Sequence, residues 1–557
     1  MVEYNTNTNF NDAYRQAALG VSIGSNNQIE EFAKILRSGA RMVEINLASM
    51  YGMGGDRGTA PSKIGKAERE AIGHLAQATD VDISTHASWG INFAGINPQN
   101  GQKDPAYSNM AQQEVKAAIE FTDQVSKATK KENTPIIFHA SFDNFGNPDK
   151  TKMLVAYDQE EEKVIPIGPQ KFSNIDENSF KEIYGEKLYN DLKKINGISS
   201  SDDKKSVVLS PQAAFEFQKE ALRLEISKKK SDIFWRESYI ESSKREIANR
   251  MIEAAASNDV KKMKELETEA ASLDQSLKDI KIEKKTTELQ EANIDKRFVP
   301  YEEKAPYLAA EGIKNAALTS FKTETKPMIL VENPMTPDMS LSNPEDTAKA
   351  VAEARRLFAQ ELMSKEHMSK SEAERLSKEL IGINLDVGHV NTFKSYINPM
   401  TGQYYNDKDI VEMSKKAKDY IKRYHLADNM GDVDAHLPLG EGNAPVKEIY
   451  EQLRKAGVEA PAIMEVFGGT GGIEAGGVIS MEYMGAPIYE GEPFRSMPSY
   501  SATPYSSLVG DYSSYSDIGL RNDFLAYGGF SGIMPALGGG YMDNKKRGEG
   551  FSGMPMV

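Results

Sequence analysis

The sequence predicts an α/β fold, a (β/α)8 TIM barrel, from three observations. Eight short apolar segments recur along the chain, helical patterns separate them, and most of the histidines fall where those segments end. Aliphatic and β-branched runs without strict alternation suit parallel strands covered on both faces. Eight such units in strand–helix order close most simply into a barrel.

The eight segments are Ala18–Ile23, Ala40–Leu47, Val81–Thr85, Thr134–Phe138, Pro327–Val331, Ile381–Leu385, Lys422–Leu426 and Ala460–Val466. Helix patterns follow the early ones at Gln28–Arg37, Lys66–Gln77 and Gln112–Lys127. A glycine-rich loop, MYGMGGDRG, follows the second segment and either lines a phosphate-binding groove or simply connects. Residues 149–304 interrupt the barrel between strands four and five. The interruption opens with MLVAYDQEEEKVIPIG, a β-hairpin with an acidic turn. Ser210 before Pro211 is an N-cap and first-turn pair. A second helix starts near Ser257, and its Met263, Leu266, Ala270, Leu273, Leu277 and Ile280 follow steps of three and four, a heptad seam. Two long helices joined at AAASNDV predict an antiparallel helical hairpin of coiled-coil type, with Trp235 and Tyr239 in its core. The stretch APYLAAEGIKNAALTSF reads as the barrel's own fourth helix, which puts the insertion in the loop after strand four, on the catalytic face of such barrels. The expected boundaries are therefore 1–148 and 305–475 for the barrel, 149–304 for the insertion, and 476–557 for a Gly/Ser/Tyr/Met-rich tail whose composition predicts disorder.

Composition narrows the chemistry. A chain of 557 residues exceeds one compact domain, and 39% hydrophobic residues can build the cores of several units. The formal net charge is −15 and the pI near 5.2. A surface acidic throughout repels phosphate backbones, so contact with nucleic acid must run through a local basic patch or bound metals. The chain has no cysteine, which excludes disulfides and thiolate zinc sites and leaves nitrogen and oxygen ligands for any metal. The N-terminal stretch is polar with no apolar signal core, and no apolar run is long enough to cross a bilayer. A cytoplasmic protein without a membrane partner is the expectation.

Five of the seven histidines, His86, His139, His389, His425 and His436, lie at the C-terminal ends of predicted strands or in the loops that follow. Glu332, Asp386 and Glu465 end strands five, six and eight, and Asp434 stands two residues before His436. A single histidine at a strand end is ordinarily a hydrogen-bonded core residue. Five of them, interleaved with carboxylates on the edge where TIM barrels build active sites, point to metal binding. Imidazole with carboxylate suits zinc, manganese or iron rather than calcium. Glu44, on strand two, either points into the barrel or, as the commoner outcome, is an ordinary packed or solvated residue.

The motifs HASWGIN, IIFHAS, ILVEN, INLDVGH, YHLADN, DAH followed by GEG, and IMEVF occur in this order. Over about residues 18–475, insertion excluded, the chain resembles endonuclease IV, the apurinic/apyrimidinic endonuclease family 2 of the xylose isomerase-like TIM barrels. The resemblance implies two or three zinc ions, with manganese an acceptable substitute. His86, His139 and Glu332 would hold one ion; Glu332 would bridge to a second, completed by Asp386, His425 and Glu465; His389, Asp434 and His436 would hold the third. It also implies a metal-dependent hydrolase of DNA repair, a deoxyribonuclease IV-like phosphodiesterase cutting DNA at abasic or damaged sites, with Glu332, Asp386 and Glu465 as catalytic residues. A hydroxide held by two ions would supply the nucleophile, and the ions would neutralise phosphate charge. Trp89 stands where the family usually has tyrosine and would stack on a base or sugar of the substrate. The alternative is a sugar or sugar-phosphate isomerase or epimerase, acting on a small sugar with only Glu332, Asp386, His425 and Glu465. A third reading makes the barrel a scaffold. The insertion is expected to be either a clamp on the substrate groove or a docking arm for a protein partner.

Overall fold

The computed structural model describes residues 19–23, 29, 32, 35, 40–51, 60–146, 149, 152–195, 197–200, 206–466 and 472–484. They divide into two compact units, one formed by the chain up to Asp149 and from Tyr301 onward, the other by Lys150–Pro300.

The first unit is a closed barrel of eight strands: Leu19–Ile23, Met42–Asn46, Asp82–His86, Pro135–His139, Met328–Glu332, Ile381–Asp386, Ile421–Leu426 and Ala462–Met464, called here strands one to eight. Each pairs with its neighbours in parallel, and strand eight closes on strand one. All eight expected segments become strands, and each observed strand lies within about one residue of its expected segment. Register decides what shares a layer. Glu332 is opposite His139, Asp386 opposite His425, and Asn46 opposite His86. Because side chains alternate along a strand, these in-register ends project in one layer at the C-terminal mouth.

The helices that cover the barrel show why their sequences choose helix. In Pro105–Thr129, the Asp104 side chain accepts from the Ala106 and Tyr107 amides at the N-terminus, and Pro105 occupies the first turn, where no amide is needed. The helix buries Val115, Ile119, Phe121 and Val125 against the strands, each contributing about 1.5–3 kcal/mol. The expected fourth barrel helix is Tyr301–Phe321. The tail begins later than expected. Gly472–Tyr483 is helical, and a side chain at Gly476 would come within 2.4 Å of Val466, so the glycine lets the helix approach strand eight's exit closely. The remainder of the tail, and residues 52–59 of the glycine-rich loop, lie outside the described residues. Among the described residues, no helix is long and apolar enough to cross a membrane.

In the second unit, Leu154–Asp158 and Lys163–Ile167 form the expected antiparallel hairpin, and Phe298–Pro300 adds a third strand beside Leu154–Asp158. Arg297 donates to both oxygens of Asp158, at 2.7–3.0 Å, and to Glu160 at 2.6 Å. The unit's first and last strands are thus locked together. A second small sheet, Gln170–Ser173, Ser206–Leu209 and Ile198–Ser200, packs with helices Glu177–Tyr184 and Glu186–Lys194 around Phe180, Tyr189 and Val207. Two long helices, Pro211–Ala256 and Val260–Arg297, form the antiparallel hairpin. Ser210 caps the first, as expected, and Asp259 rather than Ser257 caps the second. The first helix buries Ile226, Ile233, Ile240, Ile247 and Ala254, one residue per heptad. They meet Leu266, Leu273, Leu277 and Ile280 of the second helix, the expected seam. Trp235 and Tyr239 fall off this stripe. They are 68% and 73% exposed, not core as the sequence reading had them.

Candidate metal centre

The nine expected residues gather at the C-terminal mouth of the barrel, in three groups whose ligand atoms lie within 4.8 Å of one another: His86, Glu332, His425 and Glu465; His139, Glu332 and His389; His389, Asp434 and His436. Asp386, the ninth, lies between groups, with Oδ2 3.7 Å from His389 Nε2 and 4.0 Å from His425 Nδ1.

Glu332 is the hub. Its Oε2 lies 2.9 Å from His86 Nε2 and 3.5 Å from His139 Nε2, while its Oε1 lies 2.9 Å from His425 Nδ1. Oε2 therefore faces both of the first two groups, and Oε1 faces the first. Glu465 Oε2 is 2.7 Å from the same His425 Nδ1. In the third group, Asp434 Oδ2 stands 3.1 Å from His389 Nε2 and 2.8 Å from His436 Nε2.

Outer partners fix which nitrogen each ring offers. The Nδ1 of His86, His389 and His436 face the carbonyls of Ala87, Asn333 and Glu465 at 2.7, 2.7 and 3.0 Å. A carbonyl only accepts, so Nδ1 carries a proton and Nε2 is the nitrogen turned toward the cluster. Asn333 does more: its side chain accepts from the Asp386 amide and donates to the Asp386 carbonyl, both at 3.0 Å. Asp386 Oδ1 caps the short helix Val387–Asn391 through the His389 amide, and its Oδ2 accepts no hydrogen bond from the protein. Neither does Asp434 Oδ1. Asp434 and His436 ride on a loop held by Asp428, whose carboxylate accepts from the amides of Asn429, Gly440 and Ala444, each at 2.9 Å. A side chain at Gly442 would sit 2.3 Å from that carboxylate. His436 itself has φ of +46°, a left-handed conformation retained where surrounding contacts fix it.

Glu44, left out of the expected site as the commoner packed or solvated residue, takes the other reading and points into the barrel. It is fully buried, its Oε2 accepts from Ser84 at 2.8 Å, and its Oε1 lies 2.9 Å from His425 Nε2. The approach is oblique to the ring N–H, so the pair meets as charge and dipole rather than as a straight hydrogen bond. Arg423, also fully buried, has Nε 4.0 Å from Glu44 Oε2. Trp89, after strand three, and Phe142, after strand four, pack edge-to-face at 4.9 Å between centroids.

The charges test whether these residues fit metal. Glu44, Glu332, Asp386, Asp434 and Glu465 bring five carboxylates into the centre, and Arg423 brings one cation. With neutral histidines, four negative charges stand uncompensated away from water, a situation proteins avoid by binding cations or protons. The metal-free electrostatics show that conflict. Burial pushes the Asp386 carboxyl up to about 7, against the pull of His389 and with Glu332 adding repulsion. Burial would lower His86, but Glu332 outweighs it and raises the imidazolium to about 9. His436 rises in the same way to about 10 beside Asp434. Burial drops His139 to about 3. Ligands about 2.0–2.2 Å from a tetrahedral ion stand roughly 3.4 Å apart, close to the separations found here. The donor set, the charge balance and the orphaned Asp386 and Asp434 oxygens all fit divalent metal.

The fold and site together define a TIM barrel with a buried His/Asp/Glu centre able to hold metal ions. Residues 343–484, which carry strands six to eight and Asp386, His389, His425, Asp434, His436 and Glu465, match a family described as Xylose isomerase-like TIM barrel. A solved structure described as a D-tagatose 3-epimerase-like protein is similar at 14% identity, covering 85% of this chain and 97% of that chain, with a TM-score of 0.37. No curated protein matches the sequence.

Proposed function

We propose that this chain is a zinc-dependent phosphodiesterase resembling endonuclease IV, cleaving DNA at abasic or damaged sites. The observation that carries the reading is the third group. A sugar isomerase needs only Glu332, Asp386, His425 and Glu465, whereas His389 and His436 here both bring Nε2 within 3.1 Å of one oxygen of Asp434. Two linked residues join the groups into one site: Glu332 is shared by the first and second, His389 by the second and third.

Bound zinc ions would lower the pKa of water towards about 7 and neutralise charge on phosphate oxygens. The chain's own residues supply the rest. Glu332, shared by the first two ligand groups, sets the spacing between them. Asp386 and Glu465 hold charge against His389 and His425 and fix where an anionic phosphate can approach. Trp89, braced by Phe142, presents an aromatic face on which an unstacked base or sugar can rest. Ions rather than basic side chains would meet the phosphate, which answers how a chain of net charge −15 could engage DNA.

The test is incubation of the zinc-loaded protein with a duplex carrying one abasic site. Cleavage at that site, stopped by chelator and restored by zinc, supports the reading. A protein that leaves abasic DNA intact but interconverts ketose sugars with manganese or zinc would make the four-residue set the working centre and replace the phosphodiesterase with an isomerase or epimerase.

A further inference from the structure

We propose that Glu44 is a positioning residue of the metal centre, holding His425 in the ring form that offers Nδ1 to the metal. The inference rests on the metal-binding reading of the site. His425 differs from the other histidines whose outer contacts are defined. His86, His389 and His436 face backbone carbonyls through Nδ1 and turn Nε2 inward. His425 is reversed: Nδ1 sits between Glu332 and Glu465 at 2.9 and 2.7 Å, and Nε2 is directed at Glu44. A ring reversed in this way needs a partner for Nε2 inside the barrel, where backbone carbonyls are committed to strand ladders. Only a side chain can supply one.

Glu44 is built for that place. Its strand-two position is opposite Ser84 of strand three, so both side chains point into the barrel. The carboxylate is divided: Oε2 takes the Ser84 hydroxyl and faces Arg423, and Oε1 is left for His425. Arg423 lies opposite Asn384 across strands six and seven and, with Nε and Nη1 making no hydrogen bond, serves as the counter-charge that keeps an anion in this dry layer. An anion at Nε2 draws the ring proton there, frees the Nδ1 lone pair, and raises the ring's basicity as a ligand. Glu44 is nowhere near the expected ligand set in sequence and need not touch substrate.

The experiment is zinc titration of wild type and Glu44→Gln against a competing chromophoric chelator, with circular dichroism and thermal melts of both metal-free proteins. The expected result is zinc affinity lowered by about 10- to 100-fold with an unchanged metal-free fold. Equal affinity in wild type and variant overturns the inference while leaving the metal centre standing. A wild type that binds no zinc overturns both. Should the variant fail to fold, histidine-labelled zinc-loaded wild type decides by nitrogen chemical shifts. A histidine carrying its proton on Nε2, absent from a His425→Asn control, supports the role; a His425 protonated on Nδ1 overturns it.

Discussion

Nε2 of His389 lies 3.1 Å from Oδ2 of Asp434, although 45 residues separate them in the chain. One comes from the exit of strand six and the other from the loop after strand seven. The contact joins two parts of the mouth into a third ligand group. Asp434→Asn should therefore remove one ion and leave the two held through Glu332. Metal analysis of the purified variant should read one ion fewer than wild type, with the same circular dichroism. Loss of all metal, or of none, would contradict the grouping.

Glu332→Gln removes the carboxylate shared by two groups. Loss of an outer partner costs about 10- to 100-fold, so loss of this shared ligand should cost more than about 100-fold in turnover. Measured zinc content should fall with it. A variant with normal metal and normal turnover would take Glu332 out of the centre.

Trp89→Ala should separate binding from chemistry. Stacking of a base on an aromatic ring is worth about 1–3 kcal/mol, so KM for an abasic duplex should rise by about 10- to 100-fold while zinc content stays constant. A fall in kcat at unchanged KM would assign Trp89 to another task.

Metal removal should reverse the pH response. In the metal-free protein burial disfavours the charged rings, but Glu332 and Asp434 outweigh it and hold His86 at about 9 and His436 at about 10. Both values lie above the ordinary imidazole value of 6.5. Their contribution to stability is therefore complete below about pH 6.5 and is lost as pH rises through about 9 to 10. Zinc must displace those protons, so its affinity should rise over the same range. Calorimetry in two buffers of different ionisation enthalpy should show proton release on zinc binding at pH 7. Binding without proton release would contradict the pairing.

The insertion should be separable. Ala156 is paired with Pro300, and Arg297 clamps Asp158, so the unit closes its own two ends. A long closed insertion costs the barrel little, because loop entropy grows only logarithmically with length. Replacing 150–300 by a short Gly/Ser linker should leave a cooperative melt and full zinc content. Loss of the metals would make the insertion part of the barrel. Reduced cleavage of long duplexes, with short ones still cut, would favour a clamp; unchanged cleavage of both would favour a docking arm.

The barrel was legible because parallel strands buried on both faces write themselves as apolar runs, from Ile136–Phe138 to Ile329–Val331. The ligands were legible because each ends or follows such a run. Glu44 was not, since its meaning depends on Ser84, Arg423 and His425, brought to it by barrel closure. Asn333 stood inside a noted motif, but its reciprocal bonds with Asp386 appear only when strands five and six pair. Trp235 and Tyr239 were misread because aromatic residues on a long helix suggest core, whereas the packed stripe runs through Ile233 and Ile240. The small sheet of the insertion was missed because Ile198–Ser200 offers a single apolar residue to any pattern.

A centre of three linked metal groups can be counted by elemental analysis of the wild-type protein after equilibration with zinc and removal of excess. About three zinc ions per chain is the predicted result, one for each of the three groups. A single ion, or none, would contradict it.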